Sequence, residues 1–285
     1  MFAELLGTHF VHVALIAGAV VAVLAGLLSP FVVARNNAFA VHGIAELGLT
    51  GAAGGLLLGF DATTGALAGS MTIGLLLGLL GLRGRDRDTA TGTLLAAGLG
   101  LGVFFLSRLH AYSTTGFGLL FGSITAVSDS QLRMLLLVAG AVLIVLGLLW
   151  RPLWFSSVDP DGAEARGVPV RALAVMFPVL LAAAVAVAIQ VTGVLLILTL
   201  LVTPAAAAQR LVRSPGAAIA TSVGIALVST IGGILASLAW DAPTSFFVSV
   251  FSFAAYVCAR LLGGSWDRRR ATSSTRATAT AVPTT

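Results

Sequence analysis

The chain is a succession of long apolar runs with little between them, and that leaves few folds open. The runs fall at roughly His12–Val33, Ala38–Phe60, Thr64–Leu82, Thr89–Leu106, Leu132–Trp150, Ala172–Gln190, Thr192–Ala208, Ala217–Leu238 and Pro243–Leu262. One helical crossing of a bilayer core ~30 Å thick needs ~20 such residues. A membrane barrel would instead alternate apolar and polar residues over ~10-residue strands. Here the runs are continuous and rich in Leu, Ala, Val and Gly. Only 9% of the residues are charged, against about one quarter in soluble domains, so no soluble domain of useful size has room. The expected fold is all-α: a polytopic bundle of eight or nine transmembrane helices over residues 1–262. Residues 1–11 are a short interfacial lead-in. The first run is long and lacks a basic n-region, so it reads as a retained span rather than a cleaved signal. The tail at 263–285, built of Ser, Thr, Ala and Arg, is expected to be a disordered cytoplasmic extension.

All sixteen basic residues are arginine, and their placement orients the spans. Arg35, then Arg83, Arg85 and Arg87, then Arg151, Arg166 and Arg171, then Arg210 and Arg213, then Arg260 and Arg268–Arg270, fall at alternate span ends. The other ends carry Asp61, Arg108, His110, Gln190 and Asp241. The arginine-rich side is therefore cytoplasmic, with the N-terminus outside and the C-terminus inside. The parity closes only if Phe117–Ser128 (FGLLFGSITAVS), too short to span, re-enters or breaks within the membrane region. Ser128 or Asp129 is placed to cap the span that follows. The basic charge is explained by topology, so no nucleic-acid partner is implied. Cys258 is the sole cysteine and has no disulfide partner within the chain.

The second run holds the chain's most expensive residues. His42 and Glu46, four apart, share one helical face. Glu46 lies ~16 Å along the helix from Arg35, near mid-membrane. A carboxylate there costs ~2.5–3.5 kcal/mol on insertion scales, so it marks a candidate functional site. An imidazole nitrogen and a carboxylate oxygen make half a site for Zn²⁺, Mn²⁺ or Fe²⁺. Two ligands hold an ion weakly, which suits a path an ion must leave; a symmetric dimer would supply two such pairs. A proton relay and a purely structural hydrogen bond stay open. Further candidates for first contact with a passing cation are His9 and His12, spaced i, i+3, and the outer polar residues Asp61, His110 and Asp241.

VDPDGAEARGVP (Val158–Pro169) reads as a short helix held between two spans on the cytoplasmic face. Asp159 suits its N-cap and Pro160 its first turn, while Gly167 and Pro169 end it. Val158, Asp159, Pro160, Asp161, Glu164, Arg166 and Gly167 would form a knob able to dock on another protein; a solvated loop is the plainer alternative. Pro204, late in TGVLLILTLLVTPAAAAQRLVRS (Thr192–Ser214), opens the helical ladder before an alanine run and is a candidate hinge or packing face. No Walker A pattern, hydrolytic triad or metalloprotease helix motif is present, so the chain reads as a transport subunit rather than an enzyme.

Three segments, taken in order, resemble a known family: GLLSPFVVARNNAFAVHGIAELGLTGAAGGLLLG; LFGSITAVSDSQL with VDPDGAEARGV; and VTGVLLILTLLVTPAAAAQRLVR. They are similar to the membrane permease subunits of bacterial ABC importers for zinc, manganese or iron, over nearly all of the chain except the tail. The resemblance implies a homodimeric permease in the plasma membrane. Two cytoplasmic ATPase subunits would hydrolyse the ATP, and an extracytoplasmic metal-binding protein would deliver the ion. No cofactor is bound permanently; the ion is cargo. It also implies that the loop at Val158–Pro169 contacts the ATPase, and that transport proceeds by alternating access. The family places Asp and His, four apart, in its second span as pathway ligands; the matching positions here are His42 and Glu46. The donor types are kept and their order is reversed, and the family's basic pair is thinned to Arg35-Asn36-Asn37. A chelated or organic substrate, or a proton-coupled secondary transporter with Glu46 as its proton site, are the alternatives.

Overall fold

The computed structural model describes residues 8–81, 87–109, 118, 122, 127–212, 214–240 and 242–279. Every regular element among them is a helix: α1 (His9–Ala34), α2 (Ala38–Leu57), α3 (Ala62–Gly81), α4 (Arg87–Arg108), α5 (Asp129–Val158), α6 (Pro160–Ala165), α7 (Val170–Thr192), α8 (Val194–Leu211), α9 (Pro215–Trp240) and α10 (Thr244–Ala279). Among the described residues, nine of these are long and apolar enough to cross a membrane, which agrees with the expected bundle. Helices α1, α2 and α7 are the most buried. Phe31, Ile44, Phe177, Leu181 and Ile189 are fully enclosed between them.

Glycines let these helices touch backbone to backbone, and the pairings fix direction. Gly18 meets Ile234 and Gly26 meets Val223, so α1 and α9 run antiparallel. Gly51 and Gly55 meet Gly65 and Gly69, so α2 and α3 are antiparallel as well. Gly43 meets Leu95 and Gly54 meets Phe105, so α4 runs parallel to α2. Gly74 and Gly78 seat α7 antiparallel to α3, and Gly233 seats α10 on α9. Ala34–Asn37, Gly81, Ser156, Pro160 and Val170 consequently gather at one end of the bundle. His9 and Asp129 meet at the other, 3.1 Å apart. Helix α4 thus ends, and α5 begins, on the same side, as the parity argument required. The Phe117–Ser128 segment lies mostly outside the described residues. Of its members, Gly122 has φ +73°, and a Cβ there would sit 2.4 Å from the Thr192 carbonyl carbon. At the start of α5 it is Ser128 that caps: its hydroxyl accepts from Gln131 N (3.3 Å) and its N–H donates to Gln131 Oε1 (3.0 Å).

Several boundaries differ from expectation. Helix α1 begins at His9, inside the stretch read as an interfacial lead-in. The fifth membrane helix does not stop at Trp150 but runs unbroken through Arg151 and Pro152 to Val158. Its buried face continues past the arginine: Leu153 and Ser156 are buried against the bundle, which holds that end helical. Between α7 and α8 only Gly193 intervenes, at φ +79°. Helix α10 extends to Ala279, past Leu262 where the last apolar run ends.

Pro204 does not open α8. The helix is continuous through it, and the residue is buried. Ser29 of α1 occupies the break: its Oγ accepts from Ala205 N–H (3.1 Å) and lies 3.5 Å from Val202 O as a donor. A neighbouring hydroxyl re-satisfying a proline break is how membrane helices keep buried backbone polar groups paired. Ser29→Ala strips that partner from a fully buried site. The expected cost is ~1–3 kcal/mol for the orphaned amide, read as a melting temperature several degrees lower for the detergent-purified protein.

Candidate functional site

Helix α2 is held on two sides. Ser70 of α3 donates to Ile44 O (3.2 Å). The Thr50 hydroxyl donates to Gly98 O of α4 (2.7 Å), with Glu46 O 3.1 Å away. Gly43, Thr50 and Gly54 form the stripe facing α4; Gly48, Gly51 and Gly55 form the stripe facing α3. Leu47 closes on both, against Gly98 and Gly69. At ~100° per residue, His42 and Glu46 lie on a third sector, roughly 40° apart from each other. Glycine's absence there is as telling as its presence on the other two faces: the two close-packed stripes leave this sector to carry side chains.

His42 Nε2 and Glu46 Oε1 are 3.1 Å apart. The two side chains are 33% and 15% exposed respectively, so the pair sits at the edge of the chain's own packing and not inside it. Glu46 is roughly 12 Å along α2 from Ala38, on a helix roughly 30 Å long, which keeps it near mid-depth. His42 Nδ1 is buried and has no hydrogen-bond partner. A ligating imidazole is usually oriented by a partner on its second nitrogen; this ring has only Glu46 to orient it. Among the described residues no group of three His, Cys, Asp or Glu side chains converges. At this site the described residues therefore offer two such donors.

The other sequence candidates that are described lie apart from this pair. His9 does not join His12. Its ring bonds to Asp129 at the exposed end of α5 (3.1 Å), while His12 Nδ1 turns back to Thr8 O (3.1 Å). Asp61 is exposed in the α2–α3 connection, where its carbonyl accepts from Gly65 N (3.0 Å). His110 and Asp241 lie outside the described residues. Pro204 is enclosed between α1 and α8, as described above.

The short helix forms as its caps dictate, though it is tighter than Val158–Pro169. Val158 is the last residue of α5, and α6 spans Pro160–Ala165. Asp159 Oδ1 accepts from Gly162 N (3.0 Å), Pro160 opens the helix, and Gly167 reverses the chain at φ +80°. Val168 N–H then donates to Ala163 O (3.0 Å). Asp161, Glu164 and Arg166 are exposed on its outside, and the Arg166 guanidinium lies 5.3 Å from the Phe155 ring centre. What the sequence did not disclose is Arg35. Expected at the water boundary, it is instead partly buried against the end of α5, bonded to Ser156 and Ser157.

Known proteins resemble this chain along most of its length. It is 28% identical over 241 residues to the manganese transport system membrane protein MntC of Halalkalibacterium halodurans, covering 84% of this chain and 82% of that one. It is 31% identical over 227 residues to the manganese import system permease protein ScaB of Streptococcus parasanguinis, covering 79% and 81%. A chain in the solved structure of PsaBC from Streptococcus pneumoniae in complex with Fab superposes with a TM-score of 0.81. That match has 26% identity and covers 90% of this chain and 94% of that one. Residues 8–263 match the ABC 3 transport family as a whole, a stretch that runs from the foot of α1 into α10. With all nine membrane-length helices represented in the match, the chain is a multi-pass membrane protein and belongs to the ABC 3 transport family.

Proposed function

We propose that this chain is the membrane permease of an ATP-driven importer for a divalent transition metal, with Mn²⁺ the first candidate. The observation that carries the reading is the His42–Glu46 pair, a borderline nitrogen and a hard oxygen 3.1 Å apart at mid-depth on α2. Two relatives named for manganese transport or import support the choice of ion. Such a donor set suits Mn²⁺, Fe²⁺ or Zn²⁺, and the identity of the ion rests on the relatives. A second copy of the chain would bring its own pair to the same path and complete a four-donor site.

In this reading the arginine-bearing end of the bundle is cytoplasmic, so the N-terminus lies outside and the C-terminus inside. Helix α6 is the knob on which each cytoplasmic ATPase subunit docks. An extracytoplasmic metal-binding protein loads the opposite end. ATP binding and hydrolysis shift the permease between outward- and inward-open states, and the ion passes between the paired donors. The unpartnered Nδ1 of His42 leaves the ring loosely oriented, which favours release over tight retention.

Reconstitution tests the assignment. Liposomes holding the permease with its ATPase and its binding protein are expected to accumulate Mn²⁺ only when ATP is supplied. Accumulation driven by a proton gradient with no ATPase present would overturn the reading in favour of Glu46 as the proton site of a secondary transporter. Accumulation of a metal only as its chelate would overturn the free-ion assignment.

A further inference from the structure

Arg35 caps the end of α1, with Asn36 and Asn37 between it and α2, and its side chain reaches onto the neighbouring helices. Nε donates to Ser157 Oγ (2.7 Å). Nη2 donates to Ser156 Oγ (2.6 Å) and towards Leu153 O (3.3 Å). The guanidinium lies 5.3 Å from the ring centre of Phe177 in α7. One turn back on α1, Phe31 stands edge-on to Trp150 and Trp154 of α5, at 5.0 and 5.5 Å, and leans on Phe177 at 6.1 Å. Arginine therefore closes a buried aromatic joint shared by α1, α5 and α7, and only a planar fork of donors fits two hydroxyls and a ring face together.

This joint lies between the two parts of the molecule that transport must connect. Val158 alone separates Ser157 from Asp159, the cap of α6. On the other side, Asn36 (φ +53°) and Asn37 turn the chain directly into α2. That turn is stiff: Asn37 N–H donates to Val32 O (2.8 Å), Val41 N–H donates to Asn37 O (3.0 Å), and Asn37 is 2% exposed. His42 follows one turn later. Beside the joint, Asn36, Asn37, Gly81, Ser156 and Pro160 line a cavity of about 300 Å³, which gives α6 and the turn room to shift against each other.

We infer that Arg35 is the positioning residue through which a displacement of α6 is passed to α2 and its metal pair. The inference rests on the reading of α6 as the ATPase dock and of His42 and Glu46 as pathway donors. Displacing α6 moves the last turn of α5. Ser156 and Ser157 then carry Arg35, and the rigid Asn36-Asn37 turn carries the start of α2. Without the guanidinium, the ATPase cycle and the metal path run separately.

The test uses the complete importer in liposomes, with Mn²⁺ accumulated per ATP hydrolysed as the readout. Arg35→Gln and the double variant Ser156→Ala/Ser157→Ala are expected to assemble and to hydrolyse ATP within about two-fold of the parent. Their ratio of ions to ATP is expected to fall about ten-fold, within the range that changes along a coupling network produce. Arg35→Lys keeps the charge without the fork and is expected to recover only a small part of the ratio. The double variant leaves Arg35 in place, so it answers the question even where Arg35→Gln folds poorly. An unchanged ratio, or transport and hydrolysis falling in parallel, would overturn the inference. An α6 variant, Asp159→Ala with Glu164→Ala, run alongside, is expected to lose ATPase assembly. Normal assembly there overturns the docking reading. Lost assembly there, with an unchanged ratio in the Arg35 and serine variants, overturns the inference about Arg35 alone.

Discussion

Glu46→Ala is expected to cut metal accumulation by at least about 100-fold, the upper end of what losing even an outer-shell partner of a metal site costs. His42→Ala is expected to do the same, because neither donor has a substitute nearby among the described residues. The informative companion measurement is stability. A carboxylate at mid-membrane costs ~2.5–3.5 kcal/mol on insertion scales. The hydrogen bond to His42 returns little: side-chain hydrogen bonds inside a membrane protein average ~0.6 kcal/mol. The cost outweighs the gain, so Glu46→Ala is expected to melt at or above the parent's temperature while transport is lost. A residue kept against the interest of the fold is kept for another purpose. A variant that loses stability and transport together would assign Glu46 to structure, and wild-type accumulation in both alanine variants would remove the pair from the pathway. The double exchange His42→Asp/Glu46→His sharpens the point. It keeps one nitrogen and one carboxylate donor but reverses their depth, and it is expected to retain transport if donor type matters more than order.

How far these features could be read from the chain depends on the range of the forces that make them. Membrane spans are dictated locally, because every backbone polar group in hydrocarbon must be paired within its own helix; among the described residues the nine apolar runs are accordingly nine helices. Helix α6 was legible for the same reason: Asp159, Pro160 and Gly167 act within three or four residues of themselves. His42 and Glu46 announced themselves through cost. The features that were missed are long-range. Ser156 and Ser157 lie beyond the expected end of the fifth span at Trp150, and their partner Arg35 lies 121 and 122 residues away. Ser29 is 176 residues from the amide it rescues at Pro204's flank. The contact of the His9 ring is likewise distant in sequence, with Asp129, 120 residues on. Periodicity cannot anticipate such partners; helix packing decides them.

Gly65→Ala is expected to disrupt the fold strongly, and the reason is the seat of α2. A Cβ at Gly65 would lie 2.2 Å from Gly51 O, 3.0 Å from Gly51 C and 3.1 Å from Gly55 Cα. The obstacles are backbone atoms, so no rotamer change relieves them and the two helices must part. Opposite it, a Cβ at Gly51 would meet Gly65 O at 2.3 Å, and one at Gly69 would meet Leu47 O at 2.4 Å. The contact is thus reciprocal over nearly two turns, the close approach that small residues permit between membrane helices. Overpacking of a tight interface costs ~1–3 kcal/mol, and separating the helices also strains the Ser70 bond to Ile44 O that holds α2 at the level of the metal pair. Helix propensity acts the other way, favouring Ala over Gly by ~0.8–1 kcal/mol. The open positions Gly100 and Gly147, where a Cβ meets nothing within 4 Å, isolate that gain. Gly100→Ala and Gly147→Ala are expected to leave melting unchanged or slightly raised, and to transport normally. Gly65→Ala is expected to melt well below the parent and, in the proposed permease, to lose most metal accumulation, because tilting α2 displaces His42 and Glu46. Gly65→Ala melting with the two controls would show that α2 and α3 are free to separate, and would remove their glycine seam as the element that sets the position of the pair.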